Sequence, residues 1–365
     1  MILHLYLARR FLQSFLVVFS VFLGILLPID LSEQLRAVSG SNAGLQAAFY
    51  LTMLNLPATL YVMLPLFVIL ATLLLFLSLA RTSELVVVRA SGRSALKGAM
   101  SPVLVAFMMG LFGLAVMNPL VAATQQQYDL RIAEFTTGEA RAFSVSSAGL
   151  WLRQGNAFGQ TVIRAERANS DGTILFSASF FAFDADGQIE GRVDAARAEL
   201  VDANWELADV KIWPLDTAAN PEAAAIERDV FELPSNLTRE QIRDSFGRPS
   251  TVPIYELPGF IAQLNAAGFA ALQHRVWLQT ELAMPLMLAA MVLIGAGFTM
   301  RHTRFGKTGL MVLFALLLGF GVFFLRNFAQ VLGESGQLPV LVAAWTPPLA
   351  AICLALGFLL HTEDG

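Results

Sequence analysis

Two charged side chains stand inside long apolar runs of this sequence, where they could hold two helices together or carry charge along a polar path. Glu281 lies in LQTELAMPLML and Arg326 in GVFFLRNFAQ. A charge at the centre of a membrane helix costs about 2.5–3.5 kcal/mol on insertion scales, so such residues usually find a partner or face a cavity. We expect Glu281 and Arg326 to form an intramembrane ion pair, to line a polar cavity, or to reach the membrane edge. Asn327 and Gln330 next to Arg326 favour a polar path.

Residues 83–92, SELVVVRASG, form a short, half-apolar stretch between two long apolar runs. An exposed LVVV block needs a partner or a membrane surface to cover it. The stretch is therefore predicted to be a short helix that docks into a cytoplasmic partner, with apolar side chains inserted and charges at the rim. The residues assigned to this docking are Glu84, Leu85, Val88, Arg89 and Gly92, the last of which ends the helix. The alternative is a plain loop whose arginines only set the topology.

The GKT in RFGKTG, residues 304–309, suggests a nucleotide-binding P-loop, but the pattern is incomplete. The motif needs a glycine five residues before Gly306, and that position holds Arg301. No HExxH motif or His/Cys cluster accompanies the one cysteine, Cys353, so no catalytic residue, cofactor or metal is assigned to this chain. If ATP powers the protein, a separate subunit must bind it.

These residues need elements to position them, and the composition indicates a membrane protein. Of the 365 residues, 56% are hydrophobic and 14% are charged, whereas in soluble domains about a quarter are charged. The net charge of −4 gives no basic excess that would suggest nucleic acid. A helix needs about 20 apolar residues to cross a bilayer. Six segments meet this length and predict membrane helices at 7–29, 54–80, 98–122, 274–299, 309–331 and 339–360.

The stretch between the third and fourth predicted spans has a different pattern. Two Asp-Gly pairs, at 171–172 and 186–187, are flanked by β-rich runs such as TILFSASFFAF, which is a strong hairpin signal. We predict an antiparallel β domain, a sandwich or jelly roll, followed by a helix that returns the chain to the membrane. The predicted domains are 1–122 for spans one to three with a connecting segment at 81–97, 123–271 for the β domain and return helix, and 272–365 for spans four to six.

The basic residues of the short loops predict the orientation in the membrane. Arg36 is alone on one side. The other side carries Arg9, Arg10, Arg81, Arg89, Arg93, Lys97, Arg301, Arg304 and Lys307. By the positive-inside rule both termini lie in the cytoplasm. The inserted domain then lies on the far side, which is the periplasm in a bacterium with two membranes.

Together these features resemble the LptF/LptG family of lipopolysaccharide export permeases. The likeness covers essentially the whole chain. It rests on the order of three spans, a β domain and three spans, and on the stretches SELVVVRASG, GLWLRQGNAF and IYELPGFIAQLNAAG. The first two stretches favour the LptG branch over the LptF branch. The implied fold has six transmembrane helices in the bacterial inner membrane, with an inserted periplasmic antiparallel β jelly roll.

The resemblance implies a transport subunit that is not itself an enzyme. Such a permease extracts lipopolysaccharide from the inner membrane, powered by an LptB-like ATPase dimer and paired with an LptF-like paralogue. LptC-like and LptA-like proteins then form the periplasmic bridge that receives the lipid. Residues 83–92 would be the coupling helix seated in a groove of the ATPase, with Glu84 as the acidic contact.

The resemblance also places a lipid cavity between spans one and five. The charges assigned to this cavity or its rim are Asp30, Glu33, Arg36 and Arg326. Members of the family carry several basic residues at the outer end of span one, facing lipid phosphates. Here only Arg36 fits that role, whereas Asp30 and Glu33 are acidic. Either this rim does not contact the phosphates directly, or divalent cations bridge its acidic residues to them.

Two other classes of protein stay open at this stage. A non-transporting mechanotransmission protein, driven by a cytoplasmic ATPase, usually has four spans and a periplasmic domain after the first; this chain has six predicted spans with the domain after the third. An intramembrane enzyme would need paired acids, a Ser–Lys pair or a metal motif at membrane depth, and none recurs. Co-purification with a separate ATPase would separate a transporter subunit from an enzyme.

The charge asymmetry generates a topology prediction. In a Cys353→Ser background, a cysteine placed within 84–94 should react with an impermeant thiol reagent only from the cytoplasm. A cysteine replacing Asp171 should react only from the periplasm, because long domains translocate whatever their charge. Periplasmic labelling within 84–94 would contradict both the topology and the docking of that stretch to a cytoplasmic partner.

Overall fold

The computed structural model describes residues 2–39, 44–85, 94–136, 143–146, 149–156, 159–169, 172–184, 188–201, 204–216, 220–235, 248–266, 268–300 and 308–363. The chain divides into two compact units. The first comprises Met1–Thr136, Ser250–Tyr255 and Leu272–Gly365. The second comprises Thr137–Pro249 and Glu256–Ala271, so it is an insertion within the first.

Helices build the first unit because a backbone in hydrocarbon must satisfy its hydrogen bonds within its own segment. The described helices are α1 (Ile2–Ala37), α2 (Leu45–Val62), α3 (Leu64–Arg81), α4 (Ala95–Phe112), a π-helical turn (Gly113–Met117), α5 (Asn118–Thr136), α6 (Leu257–Ala266), α7 (Leu272–Leu282), α8 (Met284–Thr299), α9 (Thr308–Glu334) and α10 (Val340–Glu363). Of these, α6 lies in the second unit.

The structure contains five or six candidate membrane spans, which agrees with the six predicted. Among the described residues, five helical stretches are long and apolar enough to cross a membrane: Ile2–Ala37, Leu64–Arg81, Leu96–Ile132, Gly309–Glu334 and Val340–His361. The sixth is the pair α7 and α8, which meet at an angle of 49°. Hydropathy and length were sufficient to find all six, since both properties are local in the sequence.

Three of the spans are interrupted, at places called here the three breaks. The first break is Met63, between α2 and α3, with Pro65 in the first turn of α3. The second is the π-helical turn Gly113–Met117, which joins α4 to α5. The third is Ala283, between α7 and α8, with Pro285 in the first turn of α8. Proline lacks a backbone donor, which explains two of the breaks.

Helix α8 is the centre of the first unit. All its residues except Leu286 and Phe298 are buried, and it packs against α3, α4 and α10. Glycines allow the close approach that such packing requires. A Cβ at Gly295 would lie only 2.7 Å from Cγ2 of Thr72, and a Cβ at Gly110 would collide with the backbone of Pro285.

The second unit contains one antiparallel sheet, as predicted. Its strands are β1 (Phe143–Ser146), β2 (Gly149–Asn156), β3 (Gly159–Ala168), β4 (Ile174–Asp184), β5 (Ile189–Val201), β6 (Asn204–Pro214) and β7 (Ile226–Pro234). The described strands pair in sequential order from β1 to β7, which is a meander without the Greek-key crossovers of a conventional jelly roll. Each strand pairs with its neighbour in sequence, although the connection from β6 to β7 spans residues 215–225.

One face of the sheet forms an apolar core together with α6 and the residues that follow it. Trp205 and Phe180 are almost fully buried there and meet edge to face, with ring centroids 6.0 Å apart. The alternation of buried residues breaks along a line across the sheet, near Ser177 and Asp209, whose φ angles are 51° and 53°. In a regular strand, buried residues on one face are two positions apart. Across this line on β3, β4, β5 and β6 they are three positions apart: Ala165 and Ala168, Leu175 and Ala178, Ala195 and Ala198, Leu207 and Val210.

Two glycines of the second unit provide a matched test of its packing. Gly268 has a φ of 91°, and a Cβ there would collide with the carbonyl oxygen of Ala168, whereas a Cβ at Gly259 in α6 would meet nothing within 4 Å. Gly268→Ala should lower the free energy of unfolding of this unit by more than about 1 kcal/mol. Gly259→Ala should leave it unchanged or raise it slightly, because alanine favours helix. Thermal unfolding of the purified protein measures both, and equal effects would contradict this account.

Candidate functional site

A buried carboxylate holds together elements next to all three breaks. Oε2 of Glu281, on α7, accepts a 2.6 Å hydrogen bond from the Tyr61 hydroxyl of α2 and a 3.1 Å bond from Nδ2 of Asn118 on α5. Glu281 is 1% exposed, and Tyr61 and Asn118 are each 5% exposed. An ionised group in an apolar interior is stable only when hydrogen bonds replace its water. Tyr61 and Asn118 supply two such bonds.

Arg326, on α9, completes what we call the polar layer: Tyr61, Asn118, Glu281 and Arg326. Arg326 is buried, at 7% exposure, and its charge acts on both Glu281 and Tyr61. Among the described residues, however, no ion pair within 4.0 Å joins Arg326 to Glu281. The structure therefore brings the two predicted charges into one layer but not into direct contact.

The C-terminal half of α1 is fixed by a second buried network. Oδ1 of Asp30 accepts a 2.6 Å hydrogen bond from Asn55, whose own Oδ1 accepts a bond from Gln125. One turn further along α1, buried Gln34 accepts a hydrogen bond from the Tyr128 hydroxyl at 3.1 Å. These bonds tie α1 to α2 and α5, so Asp30 faces the protein interior.

The structure thus separates Asp30 from Glu33 and Arg36, two of the three other charges assigned to the lipid cavity or its rim. Glu33 and Arg36 are exposed. Together with Pro28, Ile29 and Ser32 they line an open cleft of about 490 Å³. Helical spacing explains the difference, since residues 30 and 34 share one face of α1 and residues 29, 33 and 36 share another.

The described start of the connecting segment contacts the beginning of α1. Oε2 of Glu84 accepts a 2.6 Å hydrogen bond from the Tyr6 hydroxyl, and its Oε1 accepts a 2.9 Å bond from the Thr82 hydroxyl. Arg10 adds a longer ion pair to Oε1, at 3.7 Å, and donates to the Tyr6 hydroxyl. The bond from Tyr6, with that from Thr82, holds the pKa of Glu84 below its usual range, so this carboxylate stays charged near neutral pH.

Leu85 departs from the prediction that it inserts into a partner. It is 7% exposed and belongs to the apolar core of the first unit. The turn that precedes it contains Ser83 with a φ of 59°, and this left-handed residue redirects the chain after α3. Leu85 therefore anchors the segment to this chain. The other assigned residues, Val88, Arg89 and Gly92, lie outside the described residues.

Sequence reasoning missed the donors that make these carboxylates stable. Tyr6, Asn55, Tyr61 and Asn118 were not singled out. The sequence does contain a signal for these donors, because each, like Glu281, is a polar residue within or beside an apolar run. What the sequence lacked was the information that residues 220 and 163 positions apart meet at one oxygen atom.

Comparison with known proteins gives a consistent result over almost the whole chain. A family model described as "Lipopolysaccharide export system permease LptF/LptG" matches residues 5–361. The lipopolysaccharide export system permease protein LptG of Escherichia coli K12 is 25% identical over 337 residues, which cover 91% of each chain. LptG of Haemophilus influenzae is 22% identical over 365 residues, covering 98% of each chain.

The polar layer predicts a non-additive pair of substitutions. Glu281→Gln or Arg326→Met alone should impair assembly or activity, because each leaves the other charge buried with less compensation. The double variant should be less impaired than the sum of the two, by an interaction free energy of about 0.5–3 kcal/mol. Thermal stability of the purified protein in one detergent, measured for all four forms, gives this interaction. Strict additivity would show that the two charges act separately.

Proposed function

The chain belongs to the LptF/LptG family of lipopolysaccharide export permeases, and on that premise we propose that it is the LptG-type permease subunit of an ATP-driven exporter. In this proposal the protein extracts lipopolysaccharide from the inner membrane and passes it to a periplasmic bridge of LptC-like and LptA-like proteins. A separate LptB-like ATPase dimer supplies the energy, and an LptF-like paralogue completes the permease. Both termini are cytoplasmic and the β domain is periplasmic.

The observation that carries the proposal is the exposure of two apolar membrane helices. Of the 36 residues of α1, only Leu7, Phe11, Phe15, Asp30 and Gln34 are buried. Helix α9 also presents large exposed side chains, among them Phe320, Phe324 and Phe328. Of the five continuous candidate spans among the described residues, these two are the least buried within the chain. These faces of spans one and five are therefore available to a paralogous subunit and to the acyl chains of a lipid.

The outer end of α1 supports contact with the lipid head group. Glu33 and Arg36 line the open cleft, at the end of a helix whose exposed face is otherwise apolar. A head group that carries phosphates would bind Arg36 directly and would reach Glu33 through a divalent cation, because oxygen ligands suit such ions. Asp30 is not part of this contact, since its carboxylate is buried against Asn55.

The cytoplasmic end supports coupling to an ATPase through Glu84. Its carboxylate is charged and its side chain is one-third exposed, so it can accept a further hydrogen bond from a basic group of a partner. Leu85 is held in the core next to it. A force on Glu84 would thus reach α1 through Tyr6 and the helical core through Leu85, which is the arrangement that a coupling segment requires.

Substitution of Glu84 tests the coupling. Glu84→Ala should weaken association with the ATPase by about tenfold or more, because it leaves a partner's basic group unpaired. Glu84→Arg should be worse, since it adds like-charge repulsion. The measurements are co-purification of the ATPase and ATP-dependent release of lipopolysaccharide from proteoliposomes. Protease protection checks that the spans and the β domain are intact.

Tyr6→Phe provides the matched control, because it removes the 2.6 Å bond to Glu84 and leaves the carboxylate in place. The proposal predicts that Tyr6→Phe keeps the ATPase bound. If Tyr6→Phe loses the ATPase as fully as Glu84→Ala does, the carboxylate acts only inside this chain. If Glu84→Arg transports normally with the ATPase bound, Glu84 has no part in coupling.

A further inference from the structure

Each of the three breaks lies next to a residue of the polar layer. Tyr61 precedes the first break, Met63, by two residues, and Glu281 precedes the third break, Ala283, by two residues. Asn118 is the first residue after the second break, the π-helical turn. The breaks occur in three different spans that are far apart in sequence. Only folding brings the residues beside these breaks together at the Glu281 carboxylate.

The hydrogen bonds of Glu281 are shared in a way that couples these breaks. Tyr61 and Asn118 both donate to the same atom, Oε2. A change of bend at the first or second break would move a hydrogen-bond donor, and a change at the third break would move the acceptor, Glu281. Both bonds depend on the position of its Oε2 atom. Hydrogen bonds in an apolar interior are strong, and a buried oxygen that loses them is costly, so the three bends cannot change independently at low cost.

The segment that returns from the insertion is attached to the second break. The backbone N–H of Ile254 donates a 3.0 Å hydrogen bond to Oδ1 of Asn118. The Tyr255 hydroxyl donates a 3.0 Å bond to the carbonyl oxygen of Ala115, inside the π-helical turn. A π-helical turn disturbs the regular hydrogen-bond ladder, and such turns are frequent at functional sites. Asn118 thus bonds both to Glu281 and to the return segment.

Side-chain packing around the breaks is close and uses small residues. Gly110 lies directly against Pro285, which is in the first turn of α8. Gly113, the first residue of the π-helical turn, lies beside the ring of Tyr61, and a Cβ there would be 3.4 Å from Cε2 of Tyr61. Close contacts of this kind transmit a change of bend from one span to its neighbour.

We infer that the polar layer is a shared hinge, in which Glu281 couples changes of bend in spans two, three and four during the transport cycle. Tyr61 and Asn118 are positioning residues for this carboxylate. The inference rests on the proposed function, because it assigns the hinge to an ATP-driven cycle. Spans one and five do not bend in this scheme, since α1 and α9 are each continuous along their length.

A distance measured within one span reports its bend and is insensitive to movement of the span as a whole. In a Cys353→Ser background, spin labels at the exposed positions Met53 and Leu74 would flank the first break. Labels at Leu317 and Phe328 would lie on the continuous helix α9 and serve as the control pair. The complete assembly with its ATPase, in nanodiscs, is measured without nucleotide and with ATP plus orthovanadate. We expect the first distance to change and the control distance to stay constant.

Substitution of one donor tests whether Glu281 is the coupling element. Tyr61→Phe should reduce the nucleotide-dependent change in the Met53–Leu74 distance and should lower lipopolysaccharide released per ATP hydrolysed by about tenfold, the factor that corresponds to about 1.4 kcal/mol. Tyr128→Phe, which removes a hydroxyl bond to Gln34 elsewhere in the same unit, should change neither quantity. If Tyr61→Phe does not assemble, Asn118→Ala removes the other donor and permits the same comparison.

The outcomes separate the hinge from the proposed function. If the native assembly releases lipopolysaccharide with ATP but the Met53–Leu74 distance does not change, the hinge is wrong and the function stands. A change in distance that survives both Tyr61→Phe and Asn118→Ala would remove Glu281 from the hinge. If the native assembly releases no lipid with ATP, the proposed function fails and the inference fails with it.

Discussion

The helical unit depends on one constraint, which is that a carboxylate buried in an apolar interior must keep its hydrogen-bond donors. Glu281 meets this constraint through Tyr61 and Asn118. Both donors come from spans whose helices are interrupted beside them, and Glu281 itself precedes the bend between α7 and α8. Loss of either donor would leave the buried Glu281 carboxyl oxygen with fewer hydrogen bonds, which costs more than an ordinary missing contact. The same two bonds therefore also join the three breaks at one oxygen atom.

The other helices differ in how much of their surface is buried within this chain. Helix α8 is the fixed centre, because nearly all of its residues are buried and neighbouring helices approach it at glycines such as Gly110 and Gly295. Helices α1 and α9 are the open surfaces, with wide apolar faces that this chain does not cover. In the C-terminal half of α1, Asp30 anchors the helix to α2, whereas Arg36 faces an open cleft. A permease that accepts a large amphipathic lipid beside a paralogous subunit needs both kinds of surface.

Local sequence patterns were sufficient to predict the helices and the sheet. The roles of individual residues, in contrast, depend on contacts that form only in the folded chain. The six spans and the antiparallel sheet followed from hydropathy and from Asp-Gly turns, which act over a few residues. The sequential strand order and the irregular line at Ser177 and Asp209 carry no comparable local signal. Leu85 was expected to face a partner because it belongs to an apolar block, yet the turn at Ser83 directs it into the core. The layer around Glu281 could be anticipated as a buried charge but not as a junction of three breaks.

Release of lipopolysaccharide from proteoliposomes is the measurement that tests the central claim most directly. The claim is that this chain moves the lipid and that a separate subunit hydrolyses the ATP. Vesicles that contain lipopolysaccharide and the complete assembly should deliver the lipid to a soluble periplasmic acceptor only when ATP is added. Vesicles that lack this chain should deliver none, and the purified chain alone should not hydrolyse ATP. Equal delivery without the chain, or ATP hydrolysis by the chain itself, would contradict the account.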